Sequence, residues 1–265
     1  MKRLCFYFPT ILIIISGENP CLAEEDESRI VGGFEANKAD YPYAVSLRDP
    51  NNHHFCGGTL IDHEHVVTAA HCVAGLDLLK ILSKILKSFF PVFSGRSNVV
   101  VVGSDSLDKG GSTHKVISTT VHPEYDPKLV VNDIALLKIE PVTSYKFSFP
   151  VRMQSNLSDY ENPCYVMGWG LTEAGGKLSN KFKVAEVHPV SPTHCEEEWK
   201  EAYNPNVICT TSDGNSACQG DSGGPLICDE KFTGIVSFGK PCATGKPDVF
   251  TSVFAYNEWI DKNME

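Results

Sequence analysis

Short apolar segments separated by turn-forming residues are the main pattern along the chain. Most of them are rich in β-branched side chains, and glycine, proline, asparagine and aspartate stand between them. They occupy residues 43–47, 59–61, 66–68, 99–102, 134–139, 164–167, 182–187, 225–228, 234–236 and 249–251. Many short strands with such turn signals are typical of a β-sandwich or a β-barrel. The pattern therefore predicts an all-β fold.

Helical periodicity occurs in two places. Residues 253–263 carry apolar and polar positions on opposite faces, which predicts a C-terminal helix. Residues 76–93 combine apolar residues at helical spacing with lysines on the other side, the pattern of a basic amphipathic helix. We consider three interpretations of this atypical insert: a membrane- or partner-binding surface, a surface helix packed on the strands, or an erroneous insertion in a predicted gene product.

The N-terminal segment has the layout of a secretory signal peptide over residues 1–23. Two basic residues precede an apolar run over 4–15, and a small-residue site ends at Ala23. The alternative is a membrane anchor, but the run is shorter than the ~20 apolar residues that span a bilayer. Cleavage after Ala23 removes Cys5 and Cys21 and leaves eight of the ten cysteines, an even set that suits disulfides outside the cell.

A short polar segment over residues 24–29 ends at Arg29 and leads directly into Ile-Val-Gly-Gly at residues 30–33. We interpret it as an activation propeptide that is cut between Arg29 and Ile30. The simpler alternative is a frayed N-terminus.

The length of the chain limits the number of domains, and its net charge limits the classes of partner. At 265 residues the chain is long enough for one large all-β domain or two small ones. A formal net charge of −10 argues against a nucleic-acid-binding surface, which needs clustered lysine and arginine. The acidic balance mainly favours solubility.

Candidate chemistry centres on Ser222, within Gly-Asp-Ser-Gly-Gly at residues 220–224. A serine hydroxyl is a weak nucleophile, so covalent catalysis needs a base and amide donors for the oxyanion. The motif also fits the nucleophile elbow of an α/β-hydrolase, in which the histidine follows the serine. No histidine follows Ser222 in this sequence. Upstream, His71 ends one apolar strand and Asp133 begins another, and the order His, Asp, Ser is one of three known for this geometry.

Taken together, these motifs resemble the chymotrypsin-like (trypsin-type, S1) serine endopeptidases. The resemblance runs from residue 30 to the C-terminus and rests on five motifs in order. They are Ile-Val-Gly-Gly at 30–33, Thr-Ala-Ala-His-Cys at 68–72, Asp-Ile-Ala-Leu-Leu at 133–137, Gly-Trp-Gly at 168–170 and Gly-Asp-Ser-Gly-Gly-Pro at 220–225. It implies a peptidase domain over 30–265, built from two six-stranded antiparallel Greek-key β-barrels with the active site between them and a C-terminal helix.

The resemblance also implies the catalytic roles. Ser222 is the nucleophile, His71 is the general base and then the general acid, and Asp133 holds the imidazole. The amides of Gly220 and Ser222 form the oxyanion hole. Ser237 corresponds to the family serine that hydrogen-bonds the buried aspartate.

The resemblance also implies a substrate-binding strand and an activation contact. The backbone of Ser237, Phe238 and Gly239 pairs with the substrate, with Phe238 where the family usually has tryptophan. In activation, the new ammonium of Ile30 folds onto Asp221. His54 matches a family residue that can hold the aspartate in the zymogen, and the activator is a trypsin-like protease cutting after Arg29.

Eight cysteines allow 105 pairings, among which the sequence itself cannot choose. The resemblance implies Cys56–Cys72, Cys164–Cys228, Cys195–Cys209 and Cys218–Cys242.

The primary specificity pocket is expected to have Ser216 at its floor, where trypsins carry aspartate. A neutral floor favours large apolar side chains. On the wall, Asp248 stands where many relatives have glycine, and it could accept Lys or Arg. Alternatively, its carboxylate is turned away or neutralised by hydrogen bonds. We therefore predict a chymotrypsin-like or mixed aromatic and basic preference at P1.

Other sites are weakly indicated. The loop over residues 104–110 lacks the glutamates that calcium-binding relatives use, so we expect no metal and no cofactor. Asn156 begins a glycosylation sequon.

The expected partners are protein or peptide substrates, the activating protease and protein inhibitors. The mature protein is expected to be a secreted extracellular monomer that binds neither nucleic acid nor membrane. The rival interpretation is a non-catalytic serine-protease homologue that acts as a binding module, although a complete triad argues for catalysis.

Overall fold

The computed structural model describes residues 33–74, 99–143, 151–155, 163–211, 214–240, 242 and 245–265. The signal peptide, the propeptide, Ile30, the insert over 76–93 and the sequon at Asn156 lie outside the described residues. Within them the strands are β1 Phe34–Glu35, β2 Ala44–Arg48, β3 His54–Leu60, β4 His65–Thr68, β5 Val99–Val102, β6 Ser112–Val121, β7 Ala135–Ile139, β8 Cys164–Gly168, β9 Lys183–Val187, β10 Val207–Thr210, β11 Pro225–Cys228, β12 Lys231–Phe238 and β13 Asp248–Ser252. The α-helices are α1 Ala70–Val73, α2 Pro192–Trp199 and α3 Asn257–Asn263, with 3-10 turns at Lys38–Asp40, Lys200–Ala202 and Phe254–Tyr256.

The first half of the described chain forms a closed antiparallel barrel in the order β2-β3-β4-β7-β6-β5. Its strands carry alternating apolar side chains that point inward, and Leu47, Leu60, Val66 and Leu137 are fully or almost fully buried there. Each large side chain buried in this way contributes roughly 1.5–3 kcal/mol. The prediction of a six-stranded barrel in an all-β fold is confirmed.

The second half is a seven-stranded antiparallel sheet in the order β1-β9-β8-β11-β12-β13-β10. Six of these strands correspond to the expected second barrel, and β1 adds a short seventh strand next to β9. The stretch that follows β9 meets β10 through a bridge between Pro189 and Thr210. Two backbone hydrogen bonds flank this bridge, from the Val190 N–H to the Cys209 carbonyl at 2.9 Å and from the Thr211 N–H to the His188 carbonyl at 2.7 Å.

One hydrophobic cluster joins the two halves. It contains Val67 and Leu136 from the barrel and Met167 and Phe232 from the second sheet, all almost completely buried. Ile260 of α3 also packs into it, which confirms the predicted C-terminal helix and fixes it across the two halves.

Four disulfides are present in the structure: Cys56–Cys72, Cys164–Cys228, Cys195–Cys209 and Cys218–Cys242. They are the pairs that the resemblance implies. The first ties β3 to the helix that carries His71, and the last ties the segment before Ser222 to the rim of the specificity cavity described below. Disulfides of this kind typically contribute ~2–4 kcal/mol.

Helix α2 was not anticipated, because only the chain end and the insert showed helical spacing. Its start has a local signal: Ser191 accepts a hydrogen bond from the His194 N–H at 3.2 Å, and Pro192 occupies the first turn. In the described part of the chain, no helix is long and apolar enough to cross a membrane.

Candidate active site

Strand pairing brings His71 and Asp133 together. Strands β4 and β7 are antiparallel neighbours, with Thr68 at the end of β4 opposite Ala135 at the start of β7. His71 follows β4 within α1 and Asp133 precedes β7, so both side chains lie at the same edge of the barrel. This register explains how residues 62 positions apart can meet.

The carboxylate of Asp133 holds His71 at two points. The ring Nδ1 of His71 lies 2.8 Å from Asp133 Oδ2, and the His71 backbone N–H donates to Oδ1 at 2.8 Å. The Asp133 side chain is fully buried, whereas the His71 side chain is 30% exposed. A carboxylate facing Nδ1 favours the tautomer with the proton on Nδ1, which leaves Nε2 as a base.

Strand β12 of the second half completes the surroundings of Asp133. Ser237 Oγ donates to Asp133 Oδ2 at 2.5 Å, and Thr251 Oγ1 donates to the Asp133 carbonyl at 3.0 Å. A buried carboxylate without such donors would be costly. The position expected for Ser237 is therefore the one that the structure shows.

Ser222 lies in a tight turn that packs against the barrel. Its carbonyl accepts the Gly57 N–H at 2.8 Å, and the Gly223 N–H donates to the Val236 carbonyl at 2.8 Å. Gly223 has a φ of 77°, and a Cβ at this position would collide with Thr68 Oγ1. Only glycine fits the turn that presents Ser222.

Ser222 and His71 both contact Cys72. The Cys72 sulfur is 3.7 Å from His71 Nε2 and 3.7 Å from the Ser222 carbonyl oxygen, so both residues pack on the Cys56–Cys72 disulfide. Among the described residues, the Ser222 side chain forms no hydrogen bond with the His71 ring. In an enzyme without bound substrate, such a bond is often long and tightens in the Michaelis complex.

The backbone amides of Gly220 and Ser222 lie on either side of Asp221 in this turn. Within the described residues, neither the Gly220 N–H nor the Ser222 N–H donates a backbone hydrogen bond. Gly220 has a φ of 100°, and a Cβ added there would lie 2.6 Å from a Leu178 methyl group and 3.1 Å from the Gly170 Cα. Both the φ value and the lack of space select glycine at this position.

A relay of buried hydrogen bonds, from Arg48 through Ser46 and His54, holds the carbonyl group of Gly220. Arg48 Nε donates to Ser46 Oγ at 3.0 Å, so the Ser46 hydroxyl is oriented to donate to His54 Nδ1 at 2.8 Å. His54 Nε2–H then donates to the Gly220 carbonyl at 2.9 Å. Burial lowers the pKa of His54 to about 4, which keeps the ring neutral at pH 7. The resemblance implies that His54 can hold Asp221 in the zymogen; in this structure His54 contacts the carbonyl of Gly220.

Asp221 is a completely buried carboxyl group. It accepts the Gly170 N–H at 2.7 Å and the Cys218 N–H at 3.0 Å, and burial raises its pKa to about 6. Among the described residues, no cation forms an ion pair with it. A Cβ at Gly168 or at Gly170 would collide with the carboxylate, which explains why both glycines of the Gly-Trp-Gly motif are needed.

A cavity of about 180 Å³ opens beside Ser222 and is called the specificity cavity below. Its lining includes Ser222, Ser237, Phe238, Gly239 and Asp248. Phe238 also makes an edge-on contact with the Trp199 ring at 5.0 Å between centroids. The Phe238 backbone pairs with Val249 of β13.

The expected position of Ser216 needs correction. Ser216 does not line the specificity cavity, because its side chain is fully buried behind Asp248. Ser216 Oγ lies 2.7 Å from Asp248 Oδ2, and the Ala217 N–H donates to the same oxygen at 3.1 Å. The carboxyl of Asp248 therefore forms the buried end of the cavity, and Ser216 supports it.

Comparison with known proteins agrees with this geometry. The sequence model of the Trypsin family matches residues 30–260. The chain is similar to Trypsin epsilon of Drosophila erecta, at 34% identity over 269 residues, covering 99% of this chain and 98% of the relative. It is also similar to Chymotrypsin-2 of Vespa crabro, at 37% identity over 239 residues, covering 89% and 100%. Cationic trypsin-3 of Rattus norvegicus is 33% identical over 248 residues, covering 91% and 92%.

The chain belongs to the Trypsin family. It is a chymotrypsin-like (S1) serine endopeptidase, a hydrolase that acts on protein or peptide substrates. The resemblance inferred from the motifs is thereby confirmed.

Several residues that line the specificity cavity of this Trypsin-family enzyme are not predicted from the sequence, among them Gln219 and Lys240. Gln219 and Lys240 both lie at the cavity and are exposed. Gln219 directly precedes Gly220, and Lys240 follows Gly239, so their positions next to predicted site residues were the available signal.

One cluster of metal-ligand residue types occurs in the described part of the chain. It consists of Cys56, His71 and Cys72. The two sulfurs are joined in a disulfide and offer no thiolate, so this cluster does not fit a metal.

Proposed function

We propose that this Trypsin-family enzyme cleaves peptide bonds through an acyl-enzyme on Ser222. The observation that carries the proposal is the two-point attachment of His71 to the buried Asp133 carboxylate. That attachment fixes the ring and its tautomer, and leaves Nε2 available to take the Ser222 proton. Asp133 also stabilises the imidazolium that results.

The steps follow from these positions. As Ser222 Oγ attacks the scissile carbonyl, its proton passes to His71 Nε2, and the oxyanion is bound by the N–H groups of Gly220 and Ser222. His71 then gives the proton to the leaving amine. In deacylation, His71 takes a proton from water, which attacks the ester carbonyl, and returns that proton to Ser222 Oγ.

The substrate chain binds as an added strand. Residues 237–239 combine the end of β12 with an exposed Gly239 beside the specificity cavity. Main-chain hydrogen bonds at this edge give affinity, and the cavity selects the P1 side chain.

The enzyme is made as a secreted zymogen in this account. Residues 1–23 direct secretion, and a trypsin-like protease cuts after Arg29 to release the propeptide 24–29. The support is Asp221, a fully buried carboxyl group with two N–H donors and a pKa raised by burial. A new ammonium at Ile30 would supply the missing positive charge and stabilise the ionised form. The mature form is an extracellular monomer that is open to protein inhibitors.

We further infer a mixed aromatic and basic P1 preference. Asp248 places a carboxyl group in the specificity cavity beside apolar and aromatic lining residues such as Val236 and Phe238. The relatives carry both trypsin and chymotrypsin names, in keeping with either specificity.

A peptide-library cleavage profile of the activated enzyme tests the proposal. We expect cleavage after Phe, Tyr, Lys and Arg, and none with Ser222→Ala. Asp248→Gly should abolish cleavage after Lys and Arg while sparing Phe and Tyr. Unchanged basic cleavage in Asp248→Gly would refute the role of Asp248, and activity in Ser222→Ala would refute the role of Ser222.

A further inference from the structure

The carboxyl group of Asp248 is held by one oxygen at the buried end of the specificity cavity. Oδ2 is bound by Ser216 Oγ at 2.7 Å and by the Ala217 N–H at 3.1 Å. Oδ1 packs against Gly239, where an added Cβ would lie 2.6 Å from it. The residue is 4% exposed. One oxygen is therefore fixed, and the other lies beside a residue that lines the cavity.

The Ser216 hydroxyl can serve both protonation states of this carboxyl group. Besides Asp248 Oδ2, it lies 2.8 Å from the Ala217 carbonyl oxygen. When Asp248 is ionised, the hydroxyl donates to Oδ2. When Asp248 carries a proton on Oδ2, the carboxylic acid donates to Ser216 Oγ, and the hydroxyl turns to donate to the Ala217 carbonyl. In both states Ser216 Oγ and Asp248 Oδ2 stay hydrogen-bonded to each other.

The charged groups around Asp248 also allow both its protonated and its ionised form. Asp221 lies close enough for its charge to oppose ionisation of Asp248. Lys240 is exposed at the cavity lining, and Lys246 Nζ lies 4.2 Å from the centre of the Trp199 ring. Within the described residues, no cation forms an ion pair with Asp248. Burial, more than any other cause, raises the pKa of Asp248 to about 7.

We propose that the protonation of Asp248 switches the P1 preference of this enzyme near neutral pH, with Ser216 as the positioning residue of the switch. The neutral acid admits an aromatic or long apolar side chain. The carboxylate disfavours those side chains, since they cannot compensate its charge, and binds Lys or Arg as the missing counterion. The inference rests on the proposed function and deepens it from a mixed preference to one that depends on pH.

The test compares two peptide substrates that differ only at P1, Tyr against Lys, between pH 5.5 and 8.5. The ratio of their kcat/KM values cancels every pH effect on the catalytic steps that the two substrates share. We expect the Lys-to-Tyr ratio to rise by about 30-fold or more, with a midpoint near pH 7, because an ionisation changes the reactive fraction about tenfold per pH unit below its pKa. A ratio independent of pH in an active enzyme overturns the switch.

Two variants separate the switch from packing effects. Asp248→Asn has a similar size but does not ionise, so its ratio should stay low and flat across the pH range. Ser216→Ala removes the donor to the carboxylate and should move the midpoint to higher pH while the Lys activity survives at pH 8.5. An unmoved midpoint in Ser216→Ala contradicts the positioning role. Loss of both activities in the wild-type chain, with no labelling of Ser222, refutes the proposed function itself.

Discussion

His54 Nε2 donates to the carbonyl oxygen of Gly220 across 2.9 Å, and this contact links the barrel to the turn that carries Ser222. The two residues are 166 positions apart in the sequence. Because His54 is held in turn by Ser46, the conformation of Gly220 depends on a side-chain relay within the barrel. The relay predicts a catalytic effect from a residue that touches neither the substrate nor the nucleophile.

We expect His54→Ala to lower kcat by about 10- to 100-fold with little change in KM. Complete loss of one oxyanion donor typically costs ~2.7–4 kcal/mol, or about 100- to 1000-fold in kcat, and His54→Ala should cost less because the Gly220 N–H is displaced rather than removed. Steady-state kinetics on a single peptide substrate measure the effect, and His54→Gln, which retains a side-chain N–H donor, should recover part of the rate. A larger change in KM than in kcat would contradict a role in transition-state binding.

Asp133→Asn should reduce kcat by roughly 10⁴-fold, since an amide facing His71 Nδ1 can hold the ring in the wrong tautomer. The matched comparison is Ser237→Ala, which removes one hydrogen bond to Asp133 and leaves the His71 contacts in place. We expect Ser237→Ala to lose far less activity. Equal losses in the two variants would mean that Asp133 acts through packing rather than by orienting the imidazole.

Activation is predicted to depend on both sides of a new ion pair. Treatment with a trypsin-like protease should give an N-terminus at Ile30 and active enzyme, and Arg29→Gln should block both. Asp221→Asn should be cut at the same bond yet stay inactive, because the ammonium then lacks its carboxylate. N-terminal sequencing and peptide hydrolysis measure the two events separately. An active wild-type enzyme that begins at another residue contradicts the scheme.

Lys38 gives a prediction on stability. It is 3% exposed, its Nζ donates to the Tyr41 carbonyl at 2.6 Å, and burial lowers its pKa from 10.5 to about 7. The unfolded chain thus binds more protons than the folded chain between pH 7 and 10.5, so the free energy of unfolding should rise with pH in that window. Below pH 7 the full penalty of burying the charge is present.

Lys38→Met should therefore remove this rise and stabilise the protein at pH 6 by about 2 kcal/mol, after allowing for one lost hydrogen bond. Urea unfolding at pH 6 and pH 9 measures it, in a Ser222→Ala background that prevents self-digestion. Lys181→Met is the control, because Lys181 is exposed and pairs with Glu35 at the surface. A Lys38→Met protein less stable than its parent at pH 6 contradicts the assignment.

Much of the fold could be read from the sequence, for physical reasons that also explain the omissions. Strand β5 is a continuous apolar run, and β7 is apolar except for Lys138. Strand β6 has a mostly polar sequence with Ile117 59% exposed, so its pattern gives little indication of a strand. Helix α2 has only one buried residue, Cys195, and shows no apolar stripe. The bridge at Pro189 depends on tertiary closure, which no local pattern encodes.

The candidate site was more predictable in its residues than in its contacts. The order of His71, Asp133 and Ser222 and the glycines around the serine pointed to the chemistry directly. The relation of Ser216 to Asp248 was not accessible, because residues 32 positions apart meet only once β13 is in place. The partner of His54 was missed for the same reason.

The most direct test of the account is covalent labelling of the activated protein with a serine-directed phosphonate, followed by mass spectrometry of the modified peptide. The account predicts one adduct per chain, on Ser222, and none with Ser222→Ala or with the uncut precursor. A folded protein with its N-terminus at Ile30 that takes up no phosphonate, or takes it up at another residue, would contradict the account and favour a non-catalytic binding module.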